Sequence, residues 1–141
     1  MYLDAAYIAK FYLNEFDSHR VRAVVGDATT LVSSKWSVPE AACAFHRHLR
    51  EGHFTSMHFQ AILEGFLDHV ETGFWTLLPV SDSVIRRMTT LMSALPASIF
   101  LRAGDAIQLA TALDAGEAEI WTNDRHMLAA APHFGLVGRR A

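Results

Sequence analysis

The 141-residue chain carries 12 basic and 15 acidic residues, a formal charge of −3, with 51% hydrophobic and 19% charged positions. A chain of this size and apolar content buries about two-thirds of its unfolded surface without staples, which excludes disorder as the main state. The composition also excludes the basic excess of a general nucleic-acid coat and, with Cys43 the sole cysteine, any internal disulfide or cysteine-rich zinc site.

The elements follow in chain order. Tyr2-Leu3 reads as a short strand, Asp4 follows it, and 5–15 reads as an Ala-rich helix. Thr30–Ser33 is a second strand, ahead of a helix over 37–50. That helix opens on Ser37-Val38-Pro39-Glu40, a capping-box pattern in which Glu40 reaches back to the N-cap amide. From 55 to 74, Phe59, Ile62, Leu63, Phe66, Leu67 and Val70 recur at spacings of three and four, with Thr55 as cap. Trp75–Leu78 is a third strand. The segment 81–96 is helical through Val84, Met88, Leu91, Met92 and Leu95, and Pro96 stops it. A further Ala-rich helix spans 103–114, Glu119–Thr122 is a fourth strand, and Leu136-Val137 is a weaker fifth. Short apolar strands alternating with helices predict an α/β fold: a three-layer α/β/α unit around a short, mostly parallel sheet of four or five strands. No repeat or linker divides it, so one domain over 1–141 is expected. Asp4, Lys10, Asn14 and Glu15 interrupt any signal-peptide pattern, and no apolar run approaches the ~20 residues of a membrane span. A soluble, cytoplasmic protein is the expectation.

Ligands of an open parallel sheet bind outside the carboxyl ends of its strands. Four acids fall at such points: Asp4, Glu40, Asp105 and Asp124. Each also suits a helix N-terminus on purely structural grounds, since Asp4, Asp105 and Asp124 can accept bonds from first-turn amides. Their neighbours are small, however: Ala5 and Ala6, Ala41 and Ala42, Gly104 and Ala106. Small neighbours let helix ends converge, and converging carboxylates repel one another unless a cation sits among them. All-oxygen donors favour Mg²⁺ or Mn²⁺ over zinc, and a carboxylate site holding such an ion suits phosphodiester hydrolysis.

At these four places the chain resembles the PIN-domain family, in particular the VapC-type toxins of bacterial toxin–antitoxin pairs. YLDAAYIAKFYLNE resembles the family's opening strand, Asp and helix closing on a Glu; SSKWSVPEAACAF its second acidic segment; LRAGDAIQLATAL its third; and WTNDRHMLAAA its final strand-Thr-x-Asp element. The resemblance implies a PIN-like fold and an Mg²⁺- or Mn²⁺-dependent endoribonuclease toxin. Its site would be an acidic quartet of Asp4, Glu40, Asp105 and Asp124. Asp4, Asp105 and Asp124 would be the metal ligands, Glu40 would hold a water or a second ion, and Thr122 would support the site by hydrogen bonding. The implied partners are RNA, a small VapB-type antitoxin whose tail blocks the acidic pocket, and a second copy in a homodimer. Two departures stand out. Ala5-Ala6 supplies no hydroxyl or amide after the first acid, which leaves a catalytically weak or silent binding module as the alternative. Gln108 stands where related sequences often carry His, a change expected to be minor.

Other chemistries have less support. His46, His48, His53 and His58 read as surface histidines rather than a zinc site. No G-x-S-x-G, G-x-x-x-x-G-K-[ST] or G-x-G-x-x-G pattern occurs. Trp75 and Trp121 fall in strand runs and read as core, while Trp36 adjoins the second acidic motif. Ten of the twelve bases are arginine, suited to bidentate phosphate contact, and Arg102 and Arg125 adjoin the site motifs.

Overall fold

A computed structural model describes all residues from Met1 to Ala141. Five short strands, β1 (Tyr2–Leu3), β2 (Val32–Ser34), β3 (Thr76–Leu78), β4 (Glu119–Trp121) and β5 (Val137–Arg139), form one sheet in the order β3-β2-β1-β4-β5. Every neighbouring pair is parallel. The helices are α1 (Ala5–Tyr12), α2 (Ser18–Gly26), α3 (Ser37–Arg50), α4 (Ser56–Glu71), α5 (Asp82–Ala94), α6 (Ala103–Asp114) and α7 (Arg125–Ala130), followed by a 3-10 turn at Ala131–Phe134.

Strand pleating divides the core. Tyr2 and Leu3, both wholly buried, point to opposite faces of β1 and enter separate apolar clusters. On Leu3's side lie Tyr7, Ile8, Val21, Phe45, Phe66 and Trp75, drawn from α1 to α4 and the start of β3. On Tyr2's side lie Val84, Leu109, Ile120, Met127 and Phe134, drawn from α5 to α7, β4 and the 3-10 turn. The three-layer α/β/α architecture expected from the alternation of elements is therefore the one observed. α6 is buried continuously from Ala106 to Ala112, because alanine lets its backbone approach the sheet from any side. No helix is long and apolar enough to cross a membrane.

Three local expectations are corrected. The first helix ends at Tyr12, not at 15, because the Arg22 guanidinium captures the carbonyls of Phe11 and Leu13 at 3.2 and 2.7 Å. Arg22 belongs to α2, a helix the apolar pattern did not reveal. Second, Ser37 and Glu40 form no capping box: α3 has no side-chain cap bond, and both side chains are engaged by Gln108. Third, β2 and β5 sit one or two residues later than expected. β5 includes Gly138, where an added Cβ would lie 2.8 Å from a Leu128 methyl, so the missing side chain admits α7 against the sheet. Thr55 does cap α4, accepting from the His58 amide.

Substituting Leu109→Ala in the centre of α6 should cost about 2–5 kcal/mol by leaving a cavity in a closed core. Phe16→Ala, at a side chain 96% exposed, should stay within about 0.5 kcal/mol. Urea denaturation midpoints of the two variants check the contrast.

Candidate active site

The order 3-2-1-4-5 reverses direction between β1 and β4, and the crevice at such a reversal is where open parallel sheets bind ligands. Asp4 leaves the end of β1 there, and Thr122 and Asp124 leave the end of β4. A cleft of about 320 Å³ opens at this point, and Asp4, Glu40, Asp105 and Asp124 all line it. The four acids the sequence singled out are thus gathered from four elements.

Asp4 is the most constrained. It is 2% exposed; Oδ1 accepts from the Tyr7 amide at 2.7 Å as the cap of α1, and Oδ2 accepts from Thr122 Oγ1 at 2.6 Å. Burial pushes its carboxyl up to about 7, the Thr122 and Tyr7 bonds oppose that, and the charges of Glu40 and Asp105 add to it. Asp124 caps α7 through Oδ1, which accepts from the amides of His126 and Met127 at 2.7 and 3.0 Å. Capping and lining the cleft are therefore not alternatives here, since each of these two carboxylates does both.

Asp105 is not a cap. α6 begins at Ala103 with Arg102 before it, so Asp105 occupies the first turn. Its carboxyl is raised by burial and by the Asp124 charge, against the lowering influence of Arg102. Glu40 is raised by burial and by Asp105, against donation from Gln108 and Trp36. Gln108 is more than the minor departure expected. Its Oε1 accepts from the Tyr2 hydroxyl at 3.0 Å, and its Nε2 donates to Ser37 Oγ and to Glu40 Oε2, each at 2.9 Å. A methyl group on Gly104 would lie 2.6 Å from Glu40 Oε1 and 3.0 Å from Trp36 Nε1, so the glycine is what lets Glu40 pack across the start of α6.

The cleft also holds groups not read as site residues from the sequence. Lys10, Glu15, Arg47 and Arg102 line it. Lys10 is held by Asp17 at 2.6 Å, and Asp17 in turn accepts from Asn123 at 2.7 Å. The helical spacing Ala6–Lys10 and Glu40–Ala44–Arg47 carries the signal that could have found them, because residues four and seven apart share a helix face. The histidine cluster is structural or superficial: His48 bonds the Ala44 carbonyl, and His53 is exposed. Trp75 is core as expected, whereas Trp121 is only partly buried.

No group of three His, Cys, Asp or Glu side chains stands ready to share one ion, at the cleft or among the histidines. In kind, however, the cleft donors fit a hard divalent cation. They are all carboxylate oxygens, and Asp4, Glu40 and Asp105 each respond to a neighbouring acid's charge. Closing a coordination shell requires side-chain adjustment.

Set beside known proteins, the chain matches the family model described as PIN domain over residues 1–132. No curated protein matches it. Its fold is similar to a chain in the crystal structure of VapBC2 from Rickettsia felis bound to a DNA fragment from their promoter. The TM-score is 0.69 at 11% identity, covering 99% of this chain and 97% of that one. At that identity the likeness concerns the fold alone.

Two outcomes are expected. The folded chain keeps a proton on Asp4 up to about pH 7 that the unfolded chain gives up near 3.8. Unfolding in that window releases a proton, so without divalent ions stability falls as pH rises from about 4 to about 7, at up to roughly 1.4 kcal/mol per pH unit. Asp4→Asn should flatten that slope in calorimetric scans. Separately, the Gly104→Ala methyl must push Glu40 from its bond with Gln108, so the variant should lose about 0.5–1.5 kcal/mol of stability in urea denaturation.

Proposed function

Since the chain belongs to the PIN domain family, we propose that it is a single-domain, Mg²⁺- or Mn²⁺-dependent endoribonuclease, acting as the toxin of a VapBC-type toxin–antitoxin pair. The observation that carries this reading is the convergence of Asp4, Glu40, Asp105 and Asp124 on one cleft at the sheet's reversal point.

Asp4, Asp105 and Asp124 would hold the ion, which when bound neutralises phosphate charge and activates water. The remaining work belongs to the chain itself. Tyr7 and Thr122 fix the Asp4 carboxylate from both sides, so it presents one orientation rather than an ensemble. Gln108 steadies Glu40 through Oε2, and Glu40 orients the attacking water and receives its proton. The water oxygen bonds to phosphorus as the ester P–O bond breaks in line with the attack, and the departing ribose oxygen takes up a proton from solvent. Thr122 supplies to the first acid the hydroxyl that Ala5-Ala6 does not, which favours an active enzyme over a silent module. The partners proposed alongside RNA are a VapB-type antitoxin that occludes the acidic cleft and a second copy of the chain.

The test is to incubate antitoxin-free protein with total RNA and Mn²⁺ and map the cut ends. Discrete cuts that disappear with EDTA are expected. Asp4→Asn and Asp105→Asn should lower cleavage by at least about 100-fold, and Thr122→Val by about 10–100-fold. Absence of cleavage with every divalent ion, together with no Mn²⁺ binding in calorimetry, overturns the reading.

A further inference from the structure

Asn123 stands between Thr122 and Asp124 without lining the cleft, yet both halves of its amide are engaged. Oδ1 accepts from the Tyr7 hydroxyl at 2.9 Å, and Nδ2 donates to Asp17 Oδ2 at 2.7 Å. The directions are forced. Lys10 donates to both Asp17 oxygens, at 2.7 and 2.6 Å, and its bond holds that carboxyl below the usual range. Asp17 is thus an acceptor only, so the Asn123 nitrogen must face it and the amide oxygen must face Tyr7. The Tyr7 hydroxyl accepts from the Ala141 amide at 2.7 Å, which leaves its proton for Asn123. Tyr7, wholly buried, is the pivot: its backbone amide donates to Asp4 Oδ1 and its hydroxyl to Asn123. Asp4 and Asp124 are therefore joined along two routes. One runs through Thr122, whose hydroxyl donates to Asp4 Oδ2 and accepts from the Asp124 amide at 3.0 Å. The other runs through Tyr7 and Asn123, braced by Asp17 and Lys10. One route alone is a hinge; two close a ring.

We infer that Asn123 is a positioning residue: with Tyr7 it forms a strut that fixes the backbone carrying Asp124 relative to Asp4, and so sets the spacing of two carboxylates before a divalent ion arrives. Ligands already held in place lose less freedom when the ion binds, so the strut acts on metal affinity without touching metal or RNA. The inference rests on the reading of Asp4 and Asp124 as metal ligands. It gives the middle residue of the Thr-x-Asp element a role of its own, and it gives the Asp17–Lys10 pair the role of a brace rather than of an isolated surface ion pair.

Mn²⁺ titration calorimetry on the full chain, alongside thermal melts and RNA cleavage, tests it. Asn123→Ala should weaken Mn²⁺ binding by about 10- to 100-fold. At saturating Mn²⁺ it should lower kcat and leave KM for RNA unchanged, because the side chain meets no substrate. Tyr7→Phe should weaken Mn²⁺ binding too, and the double variant should bind no more weakly than Asn123→Ala alone, since both changes remove one strut. Val84→Ala, in the buried face of α5 and outside the cleft lining, should lower the melting temperature while Mn²⁺ affinity stays at the wild-type value. Should Asn123→Ala fail to fold, Tyr7→Phe carries the same expectation against the same control. Wild-type Mn²⁺ affinity in the strut variants, additive losses in the double variant, or an equal loss in Val84→Ala overturns the inference and leaves the nuclease reading standing. Mn²⁺ binding that depends on Asn123 in a chain that cuts no RNA sinks the nuclease reading alone. A wild-type chain that binds no Mn²⁺ sinks both.

Discussion

A carboxylate closed off from water at the end of the central strand is the constraint on which the site depends. Asp4 is costly to bury as an anion, and the fold meets that cost with two donors from opposite directions. The Tyr7 amide comes from the helix that Asp4 itself begins, and the Thr122 hydroxyl comes from the neighbouring strand's exit. The second bond spans 118 residues of sequence. It exists only if β1 and β4 are adjacent and parallel, with Leu3 opposite Trp121. Register, topology and the orientation of the first acid are thus one fact.

Around Asp4 the other acids are placed by what is small and what is amide. Gly104 leaves room for Glu40 to cross the start of α6, and Gln108 grips Glu40 from within that helix. The same Gln108 side chain satisfies the buried Tyr2 hydroxyl from β1. Both halves of its amide are therefore spoken for, one by the core and one by the cleft. A histidine there has two ring nitrogens and a different reach, so it could not be assumed to make the same three bonds. The core on one face of the sheet and the acid on the cleft wall share a single hinge of polar contacts. That connection explains why Ser37 abandons the capping role its sequence context suggests: its hydroxyl joins Ser33 at 2.7 Å and Gln108 at 2.9 Å instead.

What could be read in the sequence was what local pattern determines. All five strands and five of the helices announce themselves through apolar runs or a period of 3.6, and the four acids through their place at strand ends. What could not be read depended on long-range partners. α2 lacks a clean apolar stripe, and Asp17 before it makes no cap bond because Lys10 and Asn123 occupy its carboxylate. α7 is six residues long, too short for any period to show. Gln108 looked incidental because its importance lies in contacts 68 and 106 residues away. Arg47 and Lys10 were legible in principle from helical spacing, but only once α1 and α3 are known to face the same cleft.

The electrostatics of the cleft and its rim oppose each other, and the opposition is informative. Burial raises the carboxyls of Asp4, Glu40 and Asp105, and neighbouring acids add to it: Glu40 and Asp105 at Asp4, Asp105 at Glu40, and Asp124 at Asp105, where Arg102 and His126 oppose them. Two arginines stand at its margin: Arg102, exposed at the head of α6 and part of the cleft lining, and Arg125, exposed at the head of α7 beside Asp124. Neither forms an ion pair: Arg102 lies over the Phe100 ring and Arg125 donates to His126. Helix starts arrange this in two ways: at α6 the exposed Arg102 precedes the first turn and Asp105 within that turn faces the cleft, whereas at α7 the capping Asp124 faces the cleft and the exposed Arg125 follows it.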